Sequence, residues 1–327
     1  MGRLAAGLAT ATVLSVTASG CVTVHGELEV VPGATKSEAA RALEDFTSAY
    51  NKADKAYDPA LDADRVTGSL GAINQAGLKA RQKNSPEGNP AHRPLELTDA
   101  TYTIPKKAGW PRWFVADTDS NRDQDAGKLD TRWLLVFVRT GPDALWKAAY
   151  LAVVTPAQLP GFRVDDDGLA EPVTADAAEL AVKPVDLSTT YADYLKDGDP
   201  DVFAPGPATS AWRDTRKNTR VAGFSYQYVD QSLDTGTFAP LGLTTEDGGA
   251  LVFFSSKHFE RQTAAPGLKP VLNSDVEALL TGEVKSSLTK ERVSSQLVYV
   301  PGRNASDGDG KVRVLNRLPG LTAAKGS

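Results

Sequence analysis

The residue types that most often carry acid–base or nucleophilic chemistry are scarce in this chain of 327 residues, which has three histidines and one cysteine. His25 lies before the first predicted helix, His92 lies in a proline-rich loop, and His258 lies in a predicted strand. Histidine is the usual general base near neutral pH, but the chain contains neither a His-Glu-x-x-His nor a Gly-x-Ser-x-Gly motif. We therefore predict that the protein has no catalytic residues and is not an enzyme.

A serine and a lysine near the end of the chain give the best match to a nucleophile motif. The segment Ser287-Leu-Thr-Lys290 resembles the Ser-x-x-Lys motif of penicillin-binding proteins, in which the lysine activates the serine as an acylating nucleophile. The other two motifs of that set are missing from the sequence. We interpret the segment as a polar part of a late secondary-structure element.

The densest group of carboxylates is the segment Asp117-Thr-Asp-Ser-Asn-Arg-Asp-Gln-Asp125, with Asp130 further on. Oxygen ligands at alternate positions resemble the loop of an EF-hand calcium site. However, Gln124 stands where that loop needs a glycine, and Asp130 stands where a bidentate glutamate usually completes the coordination. We predict a solvated hairpin loop without a metal, and we predict no cofactor.

The one cysteine, Cys21, ends an N-terminal segment that differs from the rest of the chain. Arg3 supplies its only charge, residues 4–16 are apolar or small, and Ala18-Ser-Gly leads into the cysteine. This arrangement resembles the signal peptide and lipobox of bacterial lipoproteins, although Ala18 stands where leucine is usual. The resemblance implies that residues 1–20 are removed and that Cys21 carries a diacylglyceryl group, often with a third chain such as palmitate. The alternative is ordinary secretion after cleavage at Ala18.

The predicted anchor determines where we expect the protein to reside. Two or three acyl chains would hold it on a membrane almost permanently, because each buried methylene contributes about 0.8 kcal/mol. Beyond the N-terminal segment, no run of the sequence approaches the roughly 20 apolar residues that span a bilayer. Only two isoleucines occur, while alanine, aspartate and glycine are abundant, which is typical of a GC-rich genome such as that of an actinobacterium. We expect an anchored protein on the extracytoplasmic face of the cell membrane.

Length and charge limit the number of domains and the class of partner. A chain of 327 residues suggests about two domains of roughly 150 residues each. The formal net charge is -5, and lysines and arginines are scattered through the sequence. Because a protein that binds nucleic acid needs a basic patch or stripe to neutralise phosphates, we exclude nucleic acid as a partner.

The first half of the chain predicts helices followed by strands. Residues 21–34 show no helical period and are predicted to be a tether. Thr35-Lys-Ser-Glu38 fits a capping box, and apolar residues then recur every three or four positions. A second helical period ends near Arg81, and β-rich runs follow. We predict a first α+β domain over residues 35–155, and we expect it to fold alone because its helices and strands can bury each other.

The second half repeats this order of elements. Residues 156–184 are acidic and interrupted by prolines, which predicts a linker. A short helix near Tyr191, a loop at residues 203–212 and several strands follow, with a short last strand at residues 311–315. We therefore predict a second α+β domain over residues 185–327.

This order resembles the NTF2-like or cystatin-like fold, in which a curved antiparallel sheet wraps around a helix and leaves a cone-shaped cavity. We therefore expect the α+β class, with two such domains after the signal peptide and tether. The whole chain also resembles uncharacterised two-domain lipoproteins of actinobacteria. Neither resemblance supplies a catalytic residue to carry over to this sequence.

Aromatic residues of the first half are the remaining candidates for a binding site, namely Trp110, Trp113, Trp133, Trp146 and Tyr150. They fall in predicted strands, so they either pack against the helices or face a cavity that takes an apolar ligand. We predict a lipid-anchored, non-catalytic protein that binds an envelope protein or a small apolar ligand in a cell-envelope process. The alternative is a cavity enzyme of the NTF2-like kind that uses a carboxylate as its base.

Overall fold

The computed structural model describes residues 29–305 and 308–327 and, at residue 128, the backbone alone. The predicted signal peptide, Cys21 and His25 lie outside these residues. The described chain is α+β, as predicted, with antiparallel sheets and few helices. None of the helices in this part of the chain is long and apolar enough to cross a membrane.

Two helices and one sheet build the first half. Its elements are β1 (Val30–Pro32), α1 (Lys36–Ala56), α2 (Gly68–Asn84), β2 (Leu97–Thr103), β3 (Lys106–Ala108), β4 (Arg112–Ser120), β5 (Arg132–Arg139) and β6 (Lys147–Val154). Four strands form an antiparallel sheet in the order β2-β4-β5-β6, here called the first sheet. Strands β1 and β3 form a separate antiparallel pair.

Helix α1 begins where the sequence predicts. The Thr35 hydroxyl oxygen accepts a hydrogen bond from the Glu38 backbone N–H at 3.1 Å, and the Glu38 carboxylate accepts one from the Thr35 N–H at 2.8 Å. The predicted capping box is therefore confirmed, and it satisfies amides that would otherwise lack partners at the helix start. The buried stripe of α1, which includes Leu43 and Phe46, packs on one face of the first sheet.

The face of the first sheet that α1 covers has an aromatic core. The rings of Phe114 and Phe137 stack with centroids 5.0 Å apart and planes 9° apart. The Trp146 ring meets Phe114 edge-on at 5.0 Å, and Phe46 of α1 meets Phe137 in the same way at 5.9 Å. Large apolar rings thus fill this layer, and offset or edge-on pairs of this kind add to the stabilisation from burial.

The second half consists of α3 (Leu187–Asp197), α4 (Ser210–Asn218), β7 (Phe224–Leu233), β8 (Leu241–Thr244), β9 (Ala250–Ala264), α5 (Ser274–Ala278), β10 (Leu280–Thr281), β11 (Ser287–Val300) and β12 (Arg313–Gly326). The second sheet has the order β10-β12-β11-β9-β7, with β8 also paired to β9. Adjacent strands of this sheet run antiparallel, except that β10 and β12 run parallel over two residues. Helix α3 covers one face of this sheet through Leu187, Tyr191 and Leu195.

Two elements of the second half differ from the sequence-based predictions. The predicted loop at residues 203–212 runs into helix α4, because the prolines that suggested a loop all precede Ser210 and leave the helix uninterrupted. The predicted short strand at residues 311–315 is β12, which continues to Gly326 through two shifts of register. Pro319 pairs with β11, and β10 pairs with β12 only at Ala324 and Lys325, so Pro319 lies in a stretch where β12 is an edge strand, the place where proline is tolerated in a sheet.

The two sheets pack face to face and share one core. Buried residues of the first sheet, including Val136 and Tyr150, form a single cluster with Leu251, Phe253 and Leu297 of the second sheet. Residues at alternate positions of the same strands face the helices, so the molecule has four layers, helix–sheet–sheet–helix. This shared core argues against the expectation that the first half folds alone. The domain boundaries themselves stay a prediction.

Helix α2 and the segments between the domains also join the halves. Helix α2 contacts both β6 and β12, and the Asn316 side-chain amide of β12 donates a hydrogen bond to the Val153 carbonyl oxygen at 2.8 Å. The predicted linker at residues 156–184 is not a free strap, because it forms isolated β-bridges with both halves and buries Leu180. The last residues of the predicted tether, 30–34, belong to the folded part through β1 and the buried Ala34.

Candidate functional site

The five aromatic residues singled out in the sequence lie in four different environments. Trp146 belongs to the core beneath α1, and Tyr150 is buried between the two sheets. Trp133 lines a cavity of about 320 Å³ between α2 and β12. Trp110 and Trp113 line a cleft of about 580 Å³. Three of the five therefore border a cavity, and two border the same one.

The cleft that contains Trp110 and Trp113, called here the Trp cleft, lies where the two halves meet. One wall is formed by the start of β4 with the residues before it, by the end of β5 and by the turn between β5 and β6. The segment before β8 forms the other wall. The cleft is lined by Thr67, Trp110, Pro111, Trp113, Val138, Thr140, Ala144, Leu145, Lys147, Gly236, Thr237, Ala239 and Leu241. Lys147 is the one ionisable residue in this described lining, which contains no carboxylate. Such a site suits an apolar ligand, since ligand pockets of about 300 to 1,000 Å³ are mostly apolar with few polar groups.

A buried hydroxyl group holds the second wall of the cleft in place. The Tyr150 hydroxyl lies 2.8 Å from the carbonyl oxygens of both Phe238 and Ala239 and donates its proton to this pair. Burial raises the pKa of Tyr150, so this donor keeps its proton. A glycine at position 68 lets the start of α2 lie close to this wall. The φ of Gly68 is +56°, and a Cβ there would lie 2.8 Å from the Thr237 carbonyl oxygen. The cleft is therefore formed by the fold itself.

Two arginines surround the ring of Trp110. The Arg112 guanidinium carbon lies 4.6 Å from the ring centroid, and that of Arg139 lies at 5.2 Å. Arg139 also contacts the Trp146 ring at 4.9 Å and the Glu38 carboxylate at 3.4 Å. Cation–π contacts of this kind are worth about 0.5–1 kcal/mol at exposed sites. They hold the half-buried Trp110 ring beside the cleft.

The cavity beside Trp133 is the nearest match to an enzyme pocket that needs a carboxylate base. Asp62 is 1% exposed and accepts hydrogen bonds at 2.6 Å from the side-chain amides of Asn74 and Gln75. Burial raises the pKa of Asp62, and the two amide donors oppose that rise. Asp62 is not among the residues that line the cavity, whereas Asn74 and Asp275 are. The Asp275 side chain is exposed and accepts a hydrogen bond from the Asn84 side-chain amide at 2.9 Å. Both oxygens of Asp62 are already engaged by amides, which is the arrangement of a structural carboxylate.

The acidic segment predicted to be a solvated hairpin connects β4 and β5. Asp119, Asp123 and Asp125 each place a carboxylate oxygen within 4.8 Å of the others. Asp123 also accepts hydrogen bonds from the backbone N–H, at 2.7 Å, and the hydroxyl of Thr131. Asp117 belongs to β4 and pairs with Arg132 instead, at 2.6 Å. The segment therefore brings three carboxylates together, and the two half-buried ones, Asp119 and Asp123, already accept hydrogen bonds from nearby backbone N–H groups.

The Ser-x-x-Lys segment does not form a nucleophile pair. Ser287 and Lys290 lie in β11, where residues three apart point to opposite faces of the sheet. The Ser287 hydroxyl lies 2.6 Å from the Ser327 hydroxyl, and the Lys290 ammonium lies 3.0 Å from the Glu260 carboxylate. The interpretation of this segment as a polar part of a late element agrees with these contacts.

The two described histidines differ in burial. His92 lies 2.8 Å from the Asp54 carboxylate. His258, in β9, is 3% exposed, and its pKa falls to about 3 because of burial and the positive charges of Arg317, Arg216 and Arg292. His258 is therefore neutral at physiological pH.

His258 belongs to a polar group that sequence analysis missed, made of Trp212, Arg216, Asp230, His258 and Arg317 and called here the α4 cluster. Arg216 of α4 forms a bidentate ion pair with Asp230 at 2.8 and 2.9 Å, and each side chain is 6% exposed. Nη2 of Arg317 lies 3.2 Å from Nδ1 of His258. These residues are far apart in the sequence, so no local motif signals them. The unusual feature that could have been noticed is a histidine in a predicted strand, directly before Phe259.

Comparison with known proteins fits one family to nearly the whole described fold. A family model described as a domain of unknown function (DUF8094) matches residues 30–326, from β1 to the end of β12. The chain belongs to this family. The match treats both sheets as parts of one unit of sequence, in agreement with their shared core.

Three relatives of this DUF8094 protein come from Streptomyces. One uncharacterized lipoprotein of Streptomyces coelicolor is 57% identical over 97% of this chain and 94% of its own. An uncharacterized lipoprotein of Streptomyces avermitilis is 54% identical over 99% of this chain and 96% of its own. A second lipoprotein of S. coelicolor is 26% identical over 96% and 91%. The predicted family, uncharacterised lipoproteins of actinobacteria, is confirmed by these relatives.

Proposed function

We propose that this DUF8094 protein is a lipoprotein on the extracytoplasmic face of the cell membrane and that it binds a small apolar ligand without catalysing a reaction. The names of the Streptomyces relatives and the lipobox-like residues before Cys21 support the anchor. The Trp cleft carries the proposed binding activity, because it combines a suitable volume with an apolar lining and two tryptophans. The absence of carboxylates from its described lining favours binding over acid–base catalysis.

The position of the tether supports an apolar ligand that comes from the membrane. Strand β1 pairs with β3 so that Val30 lies opposite Ala108, and Trp110 follows only two residues later. Across such a pair and two further residues, Val30 and Trp110 are at most about 13 Å apart. Eight residues lie between Cys21 and Val30, and the nine residue-to-residue steps extend over at most about 32 Å. A lipid on Cys21 would therefore keep the Trp cleft close to the bilayer, where acyl chains are available.

The anchor is tested by the substitution Cys21→Ser, because a serine hydroxyl cannot carry the thioether-linked lipid. Fractionation of cells that produce the variant should move the protein from the membrane pellet to the soluble fraction. A variant that stays as firmly in the pellet as the parent protein would show that Cys21 is not the anchor.

Ligand binding is tested with an apolar fluorescent dye, N-phenyl-1-naphthylamine, and two matched variants. Trp110→Ala removes a half-buried ring from the cleft, and Trp133→Ala removes a half-buried ring from outside it. We expect the dye to bind about tenfold more weakly to the first variant, a loss of about 1.4 kcal/mol, and unchanged to the second. Equal affinities for both variants and the parent protein would contradict a site in the Trp cleft.

Two finer assignments belong to the same proposal. A segment of an envelope protein is the alternative occupant of the cleft, and capture of a partner that competes with the dye would favour it.

For the fold, we propose two NTF2-like or cystatin-like units over residues 35–155 and 185–327. The order of elements supports this assignment, since in each half helices precede an antiparallel sheet and cover one of its faces.

A further inference from the structure

We propose that the α4 cluster is a binding site for a small oxyanion, a carboxylate or phosphate group, with Arg317 as the residue that binds it. The site lies between α4 and the second sheet and shares no residue with the Trp cleft. Charge, unpaired hydrogen-bond donors and the packing around Trp212 indicate this site, and none of these features involves the proposed apolar ligand.

The charges on this face of the second sheet do not balance. Arg216 pairs with Asp230, while Lys290 and Arg292 share one partner, Glu260, at 3.0 and 3.5 Å. No carboxylate of the described residues lies within 4.0 Å of the Arg317 guanidinium, whose nearest polar partner is the neutral His258. Four cations thus stand against two carboxylates. Because a half-buried charge without a counter-ion is costly, an anion at Arg317 would stabilise the folded protein.

The hydrogen-bonding groups show the same excess of donors. Nε of Arg317, Nε of Arg216 and Nε1 of Trp212 are buried, and none has an acceptor among the described residues. On the neighbouring strand β11, the unpaired polar atoms are Oε1 of Gln296, which accepts only, and the hydroxyls of Ser294 and Ser295, which can donate as well as accept. Three N–H groups therefore need acceptors. An oxyanion supplies several acceptor oxygens and a negative charge together, whereas water supplies no charge.

The packing holds these donors in fixed positions. The guanidinium carbons of Arg317 and Arg216 lie 4.8 and 5.2 Å from the ring centroid of Trp212. The His258 ring meets Trp212 edge-on at 6.1 Å, and its Nδ1 accepts a hydrogen bond from Arg317. His258 is thus a positioning residue, which fixes the planar guanidinium of Arg317. Planar, preorganised guanidinium groups are well suited to carboxylate and phosphate oxygens.

The site is close enough to solvent for a ligand to enter. Arg317 is half-buried rather than fully enclosed. A cleft of about 340 Å³ beside α4 is lined by Arg216, Tyr228 and Asp230, by Arg213, Asp214 and Lys217 of α4, and by Leu195 and Lys196 of α3, while Arg317 is not in its lining. The cleft therefore reaches the α4 cluster at the Arg216–Asp230 ion pair, and an anion would pass the Arg216 side chain to reach Arg317.

The test measures thermal unfolding of the detergent-solubilised full chain in inorganic phosphate, in acetate and in chloride at equal ionic strength. We expect phosphate or acetate at about 10 mM to raise Tm by roughly 3 °C or more over chloride, because a ligand of the folded state stabilises it. Arg317→Gln should abolish this rise. Arg313→Gln, four residues earlier on β12, should keep it, since Arg313 is exposed and stacks on Tyr299 away from the cluster.

If Arg317→Gln folds poorly, calorimetric titration of the parent protein and of Arg317→Lys with phosphate and acetate tests the proposal instead. We expect the lysine variant to bind the anion about tenfold or more weakly, because it keeps the charge but loses the planar donors. The phosphate and acetate arms identify which oxyanion binds. A parent protein that responds to neither, or a rise in Tm that Arg317→Gln shares, would overturn the proposal.

Discussion

The acidic loop between β4 and β5 and the α4 cluster hold their charges in opposite ways. The loop concentrates its carboxylates in one short stretch of sequence, and Asp125 at its tip is exposed. The α4 cluster collects its residues from positions 212 to 317 and buries an ion pair with 6% of each side chain exposed. Charges in water interact weakly, while buried charges depend strongly on their partners. Charge density along a sequence therefore does not reveal where electrostatics matter for stability.

The largest expected effect comes from removing one charge of the buried ion pair. Asp230→Asn leaves the Arg216 guanidinium buried without a carboxylate, so we expect the free energy of unfolding to fall by about 3–5 kcal/mol. The double variant Arg216→Met with Asp230→Asn should recover much of this loss, because no buried charge then remains. Urea unfolding of the two variants measures the difference. A loss below about 1 kcal/mol for Asp230→Asn would place this pair with ordinary surface ion pairs.

The next effect is a pH dependence that originates at His258. The folded pKa of about 3 lies below the unfolded value of about 6.5, so only the unfolded chain binds a proton between these pH values. Stability should therefore fall as pH decreases, by about 2 kcal/mol between about pH 7.5 and 5. His258→Gln should remove this contribution. The free energy of unfolding, measured at both pH values for the parent protein and for His258→Gln, shows how much of the pH dependence comes from His258. The two proteins would depend on pH equally if His258 had its ordinary pKa in the fold.

A smaller effect is expected in the acidic loop, at its most constrained residue. Asp123 accepts hydrogen bonds from the backbone and the hydroxyl of Thr131, so Asp123→Ala should lower the free energy of unfolding by about 1–2 kcal/mol. Asp125→Ala, at the exposed end of the same group, serves as the control and should change it by less than about 0.5 kcal/mol. Equal losses for the two variants would show that the loop does not distinguish its buried and exposed carboxylates.

The smallest expected effect is that of calcium. Although Asp119, Asp123 and Asp125 lie close together, the loop lacks the glycine turn of an EF-hand, and Asp123 is already hydrogen-bonded. Millimolar calcium should leave Tm unchanged within error. A site with a Kd of about 10 µM would instead add about 2.7 kcal/mol at 1 mM calcium, which shifts Tm by several degrees. Melting curves in calcium and in chelator decide between these outcomes, and a clear rise would make the loop a metal site.

The sequence predicts the elements that depend on local signals. The capping box at Thr35 and the apolar stripe of α1 lie within a few residues of each other, and both are confirmed. The strands with alternating or continuous apolar residues, such as β5, are also where the pattern indicates them. Helix α4 is short and polar, so it has no apolar stripe to find, and β12 contains Pro319, which usually ends a strand.

The candidate sites are predictable only in part, for the same reason. Trp110 and Trp113 are recognisable as aromatic residues near strands, but the opposite wall of their cleft comes from residues more than 90 positions later. The contact between His258 and Arg317 depends on the register of β9, β11 and β12, which no local pattern fixes. Register decides which polar residues meet, and it follows from the packing of the whole sheet.

The contact between α2 and β12 has a consequence for the order of events during synthesis. Gly320 of β12 packs so closely on Ile73 of α2 that no Cβ would fit there. At about 5–20 residues per second, the ribosome adds β12 roughly 10–30 s after β6 is complete. During that interval the apolar side of α2 that β12 covers, which includes Ile73, stays exposed to water in the partly made chain, and such surface promotes aggregation. A chain truncated before β12 should therefore aggregate more readily than the full chain.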